Sequence, residues 1–212
     1  KGNIDIIQLL LNSRVIDTNI KSKKYYKKYT AYGGFLIISE ERTLLHEAIE
    51  NCHVDVVLIL LQLGIFNMND YLIKSELFID SHSTAHTEIL NEYHKTPLII
   101  ASELGYSEIM HILLSQGKAD INQIFYTIEC ESGGCEYYSR TANRIEKTVL
   151  YLAIEKNNLN IVKICLEHPN IDVNIPFLVK DLTELKIHKL SDYFDEPCPI
   201  KVKFPPLNLA VS

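Results

Sequence analysis

The chain has 212 residues, 47% of them hydrophobic and 23% charged, with a formal net charge of −6. That balance is too apolar for a disordered chain and too mixed for a collagen-like or linker sequence. No apolar run approaches the roughly 18–20 residues a transmembrane helix needs, no signal-peptide pattern is visible, and the mild acidity argues against nucleic acid as the main partner.

Gly2-Asn-Ile-Asp-Ile6-Ile7-Gln-Leu-Leu10-Leu11 opens the chain as a short helix that closes at Asp17-Thr-Asn19. Tyr25 to Tyr32 and Phe35 to Ile38, separated by Gly33-Gly34, predict strand, turn, strand. Thr43-Leu44-Leu45-His46-Glu-Ala48 then starts a first helix. The Thr43 hydroxyl suits the N-cap, and Leu45 and Ala48, three apart, share a face. In the second helix, Val57, Leu60 and Leu61 have the spacing of a core-facing stripe, and Asn67-Met-Asn69 closes it. Cys52, at the turn between the two, is a poor left-handed residue, so that turn is expected to be strained or differently closed. Residues 70–92 hold Tyr71-Leu-Ile and Leu77-Phe-Ile, which suit a hairpin.

Thr96-Pro97-Leu98-Ile99-Ile-Ala101 starts the next first helix, with Pro97 in the turn where a missing N–H costs nothing, and Gly105 ends it. Gly105 to Leu114 is its second helix, closed by Asp120-Ile-Asn122. Ile124 to Cys130, a turn over Glu131 to Gly134, and Cys135 to Ser139 predict another hairpin. Thr148-Val149-Leu150-Tyr151-Leu-Ala153 and Asn157 to Leu166, closed by Asp172-Val-Asn174, form a further pair. Residues 175–203 are less regular, and Glu-Pro197-Cys-Pro199 cannot make a regular inner strand. Pro205-Pro206-Leu207-Asn208-Leu-Ala210 begins the pattern once more.

The chain therefore repeats itself. From the glycine position of the second helix to its closing Asp or Asn is 15 residues in all four copies: 2 to 17, 52 to 67, 105 to 120 and 157 to 172. These residues resemble the ankyrin repeat, whose signature is Thr-Pro-Leu-His-x-Ala, a glycine, Ile-Val-x-x-Leu-Leu, then Gly-Ala-Asp-x-Asn. The resemblance covers three complete helix pairs, half of one before them and the start of one after. It implies that His46 makes structural hydrogen bonds between repeats. Ile99, Tyr151 and Asn208 stand at the equivalent positions, so that network cannot be complete. Each pair is too small to bury its apolar side alone, and stacked neighbours supply the core.

The connections are unusually long. Thr43 to Thr96 is 53 residues, Thr96 to Thr148 is 52 and Thr148 to Pro205 is 57. Against an ankyrin period of about 33, each connection carries about 20–24 additional residues. Nine of the 12 tyrosines (25, 26, 29, 32, 71, 126, 137, 138 and 193) lie in these insertions. Tyrosine gives large contact area at low rotamer cost, which suits a binding surface. Packing of one hairpin's aromatic face on the next is the structural alternative.

Other candidates carry less chemistry. Lys21, Lys23, Lys24, Lys27 and Lys28, interleaved with Tyr25, Tyr26 and Tyr29, could grip phosphate or an anionic lipid surface, or simply solvate a sheet edge. Cys130 and Cys135 could face each other across a turn, but a zinc site would lack two ligands, so free thiols are the preferred reading. His82 and His86 have metal-ligand spacing only if helical, and their polar surroundings read as a hairpin tip. Five cysteines without a dense spacing, and no glycosylation sequon, point to a cytoplasmic or nuclear chain. No phosphate loop, dinucleotide fingerprint, nucleophile elbow or metalloprotease motif occurs, so no catalytic, cofactor or metal site is expected.

The expected fold is mainly α: an ankyrin-like helix-turn-helix solenoid with elongated β-hairpin or loop insertions. The expected organisation is one array, with a partial repeat 1–40, repeats 41–93, 94–145 and 146–202, and a partial repeat 203–212, excerpted from a longer chain. The resemblance implies a scaffold that binds another protein through its concave face and hairpins. The candidate partner-binding residues are Tyr25, Tyr26, Tyr29, Tyr137 and Tyr138 in the insertions. Arg42, Glu50, Asn51, Lys95, Glu103, Leu104, Lys147, Glu155 and Lys156 join them at the family's variable positions. The alternatives are nucleic-acid or anionic-membrane binding through the Lys/Tyr insertion, or a structural spacer without a partner.

Overall fold

In the computed structural model, which describes residues 4–13, 21–29, 34–64, 66–79, 87–132, 140–181 and 200–203, helix pairs alternate with strand pairs. A lone helix α1 (Ile4–Asn12) precedes the hairpin β1 (Ser22–Tyr29) and β2 (Phe35–Arg42). The pair α2 (Leu44–Glu50) and α3 (Val54–Gln62) leads to β3 (Leu72–Ile79) and β4 (Thr87–Lys95). α4 (Pro97–Leu104) and α5 (Ser107–Ser115) lead to β5 (Phe125–Ser132) and β6 (Arg140–Lys147). Last come α6 (Val149–Glu155), α7 (Leu159–Glu167), β7 (Phe177–Asp181) and β8 (Ile200–Lys203).

The threonines start the first helices as their chemistry requires. Thr96 Oγ1 accepts the Ile99 N–H and Thr148 Oγ1 accepts the Tyr151 N–H. At Thr43 the cap is reciprocal: the Thr43 N–H also donates to His46 Nδ1 at 3.1 Å, which fixes the imidazole. The remaining Nε2–H donates to the Asp70 carbonyl, also at 3.1 Å, tying the helix to the loop that follows α3. First helices end at residues in the left-handed region: Cys52 (φ 54°), Gly105 (φ 75°) and Asn157 (φ 52°). All three close identically. The next residue's N–H returns to the helix, from His53 to Ala48, Tyr106 to Ala101 and Asn158 to Ala153. The Cys52 turn is thus closed like the others but holds a side chain in a conformation that costs a non-glycine residue about 1–2 kcal/mol.

The helices form two layers, α2, α4 and α6 in one and α1, α3, α5 and α7 in the other. Leu45, Ile49, Val57, Leu60, Leu98, Ile109, Met110, Leu113 and Ile161 are almost fully buried between them. Ala48, Ala101 and Ala153 recur at the same position, and their small size lets the layers approach closely. Asparagines staple neighbouring loops. Asn69 Nδ2 donates to the Lys118 carbonyl while its Oδ1 accepts the Asp120 N–H. Asn122 repeats this with the Asn170 carbonyl and the Asp172 N–H.

The fold is not mainly α. All the strands join one antiparallel eight-stranded sheet in chain order β1 to β8, and strand is as prominent as helix among the described residues. The cause is lateral. A hairpin standing alone leaves the outer N–H and C=O groups of both strands unpaired, and each hairpin here satisfies them on the next. β2 pairs with β3, β4 with β5 and β6 with β7. One irregularity occurs between Glu76 and Leu77, where β4 carries Leu90 as an extra residue. In the third insertion β5 runs through Glu131 and Ser132, residues expected in the turn. The expected strand from Cys135 to Ser139, the second thiol of the Cys130–Cys135 pair, His82, His86 and the Pro197–Pro199 stretch lie outside the described residues.

Candidate functional site

Register decides which residues share a face of the sheet, because side chains alternate along each strand. At the base of the sheet one row runs Arg42, Leu72, Lys95, Phe125, Lys147, Phe177, alternating cation and hydrophobe. The described hydrophobes of this row are anchors. Leu72 and Phe125 are buried in the helical core, and Phe177 stacks on Tyr151 with 4.5 Å between ring centres. The cations between them each meet a glutamate at the end of a first helix, eight residues further along the chain. Arg42 bonds Glu50, Lys95 Nζ lies 2.6 Å from Glu103 Oε2, and Lys147 Nζ lies 2.7 Å from Glu155 Oε2. Six residues proposed as a variable recognition rim thus come together as three internal ion pairs.

Arg42 carries the densest cluster. Its guanidinium is nearly buried and contacts Glu40, Glu47 and Glu50, and Lys24 adds a second cation at 3.4 Å from Glu47. Burial pulls the Arg42 pKa down, but the Glu50, Glu40 and Glu47 carboxylates outweigh it and raise it overall. Burial raises the Glu47 carboxyl, and the Arg42 hydrogen bond and charge, with Lys24, more than reverse that. Both groups are therefore charged across the physiological range.

Between this row and the first helices lies an open groove of about 480 Å³. Leu72 and Ile100 form its buried floor and Leu104, 45% exposed, its apolar lip. Tyr93, Lys74 and the paired Arg42–Glu50 and Lys95–Glu103 surround them. Arg42, Glu50, Lys95, Glu103 and Leu104 are thereby gathered at one place. Lys147 and Glu155 stand one repeat away. Asn51 and Lys156 are exposed, and the Asn51 amide is turned back to the Glu47 carbonyl. Tyr137 and Tyr138 lie outside the described residues.

Tyr25, Tyr26 and Tyr29 are on β1 and 68%, 51% and 76% exposed. They share neither the groove nor one face, since Tyr26 points opposite to Tyr25 and Tyr29. The neighbouring lysines are mostly engaged. Lys21 and Lys23 meet Glu41, whose hydrogen bond raises the pKa of Lys23, and Lys27 sits 3.7 Å from the centre of the Phe35 ring.

A polar cluster that sequence reasoning did not single out occupies the sheet's other face. His94 Nε2 is bonded to Glu92 and lies 2.8 Å from Tyr126 Oη. The Arg144 guanidinium lies 4.0 Å from the centre of the Tyr126 ring, and Arg144 Nε pairs with Glu146 at 2.8 Å. Burial, then the Glu92 charge, pushes the Tyr126 phenol well above its usual range. The cluster spans β4, β5 and β6, so only the register between hairpins assembles it. No sequence motif could have shown it. Cys165 is buried, its thiol pushed up to about 12 by burial, and is inert packing. Among the described residues no group of three or more His, Cys, Asp and Glu could hold a metal ion, and no helix could cross a membrane.

Stacked helix pairs capped by threonine, stapled by asparagine loops and joined by antiparallel strands define a repeat protein. Residues 1–124 match the family described as ankyrin repeats, in three copies, and residues 146–175 match a single ankyrin repeat. The chain belongs to the ankyrin repeat family, whose members are generally protein–protein interaction modules. No curated protein matches the chain in sequence.

Proposed function

We propose that the chain recognises another protein, acting as a binding scaffold rather than an enzyme, and that the groove over Leu72, Ile100 and Leu104 is the centre of the contact. The observation that carries this reading is an apolar lip left exposed inside a ring of charges that already neutralise one another. A partner side chain entering the groove buries Leu104 and Tyr93 without stripping water from an unpaired ion, the costly step in burying charge. The surrounding pairs then favour partners with matching polar groups, which sets specificity and association rate more than affinity. Nucleic-acid or membrane binding through the first insertion is the weaker reading, because Lys21, Lys23 and Lys24 already meet Glu41 or Glu47.

Site-directed photo-crosslinking tests the assignment. A photoreactive residue at position 104 should give a discrete protein adduct in cells. The same residue at position 159, where Leu159 is exposed on α7, should not. Equal adducts from both positions would remove the groove from consideration.

A further inference from the structure

The sheet is not equally continuous along its length. β2 and β3 pair over seven residues, Phe35 to Glu41 opposite Ile79 to Ile73. β4 and β5, strands of nine and eight residues, pair over four, Asn91 to His94 opposite Glu129 to Tyr126. Beyond the last pair, Thr87 to Leu90 and Cys130 to Ser132 continue as strands, each on its own hairpin partner and not on the other. Pairing stops at Asn91, beside the extra residue Leu90. A bulge bends its strand and raises the local twist, the change of direction that ends a ladder. β6 and β7 also pair over four residues, but β7 is only five residues long, so nearly all of it is used.

Where the ladder is short, side chains bridge it. Gln123 Nε2, just before β5, donates to Tyr71 Oη, just before β3, at 2.9 Å. On the strands, His94 Nε2 lies 2.8 Å from Tyr126 Oη, and their rings stack with centres 4.3 Å apart. Tyr71 meets the His94 ring edge-on, and the Arg144 guanidinium lies over the Tyr126 ring, so a file of four side chains crosses the junction. Across β2 and β3 the side chains meet in a hydroxyl pair, Ser39 with Ser75. The file is also built to part. His94 Nε2 contacts Glu92 on its own strand as well as Tyr126 on the next. Separation at Tyr126 leaves His94 bonded to Glu92 and Tyr126 stacked on Arg144, so neither ring loses its last partner, the loss that makes breaking a buried polar contact costly.

We propose that the β4–β5 junction is a hinge between two blocks of sheet, β1 to β4 and β5 to β8, latched by the Tyr71–Gln123 and His94–Tyr126 contacts. Releasing the latch lets the blocks swing apart while the helical layers, joined through α2, α4 and α6 and through α3, α5 and α7, stay packed. The strand residues of the concave groove lie on β2, β3 and β4, within one block. The groove therefore stays assembled as the hinge opens, and either assignment can hold if the other fails.

Amide hydrogen exchange of the full chain, read by mass spectrometry, tests the hinge. Tyr126→Phe keeps the ring stack and removes the bond to His94, and Gln123→Leu removes the bond to Tyr71. In the double variant the fragments covering β4 and β5 should exchange about tenfold faster or more than in the parent. Fragments covering β2, α4 and α5 should exchange at the parent rate. Unchanged exchange of β4 and β5 would overturn the proposal, because the contacts would then latch nothing. Equal acceleration in β2, α4 and α5 would overturn it as well, because the contacts would then support the whole fold and not one junction. Should the double variant fail to fold, Tyr126→Phe alone, which preserves the shape of the side chain, decides by the same two criteria.

Discussion

The helical layers and the sheet of this molecule are held by different forces. The helices bury leucine, isoleucine and alanine in a dry interior with few polar groups. The sheet is joined by backbone pairing and decorated with ion pairs, stacked rings and half-exposed polar side chains. The first region repeats in sequence because every helix pair must present the same apolar stripe to the next. The second repeats only in its geometry, because backbone pairing accepts almost any side chain on the outward positions. Shape is thus conserved between repeats by the core, and chemical individuality is left to the strands.

The contrast is sharpest when one residue from each region is removed. Leu98 is buried in α4, which packs between α2 and α6, whereas Tyr29 is exposed on β1. Leu98→Ala should cost about 3–4 kcal/mol, since the cavity between stacked helices cannot collapse freely. Tyr29→Thr should change stability by no more than about 0.5 kcal/mol. Urea denaturation of both variants measures the difference. Comparable losses would mean that the sheet, not the helical core, dominates stability.

His46 tests a buried, titratable side chain on which the helical region relies. Burial, aided by the nearby Lys21 and Arg42 charges and only partly offset by the Asp70 carbonyl, lowers its pKa to about 4. In the unfolded chain it titrates near 6.5. Above that value both states are neutral and the native hydrogen bonds count in full. Between 6.5 and 4 the unfolded chain binds the proton and the folded one does not, so stability falls as pH falls. The loss approaches about 3 kcal/mol at pH 4. His46→Gln lacks this titration, so the stability gap between parent and variant should narrow steadily from pH 7 to pH 4. A gap independent of pH would show that His46 does not stay neutral when folded.

Those two residues also mark what was legible in the sequence. Helix pairs, caps and the core stripe were readable because a short helix must place Thr, Leu and Ala at fixed spacings, and four copies in register make the spacing audible over noise. The sheet's extent was not. Whether an insertion ends as a loop or joins its neighbour depends on pairing between distant segments, such as Phe35 with Ile79 and His94 with Tyr126, and β-propensity alone does not specify partners. Hence the mainly α expectation failed, and β5 continued through Glu131 and Ser132 where a turn was expected. The candidate rim residues were partly legible. Arg42, Lys95 and Lys147 stand just before the helix-capping threonines in every copy, but their pairing with Glu50, Glu103 and Glu155 needed the strand and the helix end placed together. The cluster of Glu92, His94, Tyr126 and Arg144 was invisible for the same reason: its members come from three strands and meet only through register.

The smallest expected effect concerns the turn that joins the two helical layers. Cys52, Gly105 and Asn157 adopt the same left-handed conformation and close with the same backbone hydrogen bonds, so the residue type is the one variable. Glycine holds this conformation without a Cβ penalty, while Cys52 pays it for an exposed side chain. Cys52→Gly should therefore stabilise the chain, by about 1 kcal/mol at most, because glycine also gains freedom in the unfolded state. Gly105→Ala should do the opposite and cost more, since its new Cβ would stand 3.0 Å from the Asn158 side-chain nitrogen as well as suffering the positive φ. Thermal unfolding of both variants measures the two signs together. Destabilisation by Cys52→Gly would show that the thiol makes a contribution larger than the backbone strain, and would separate this turn from its two counterparts.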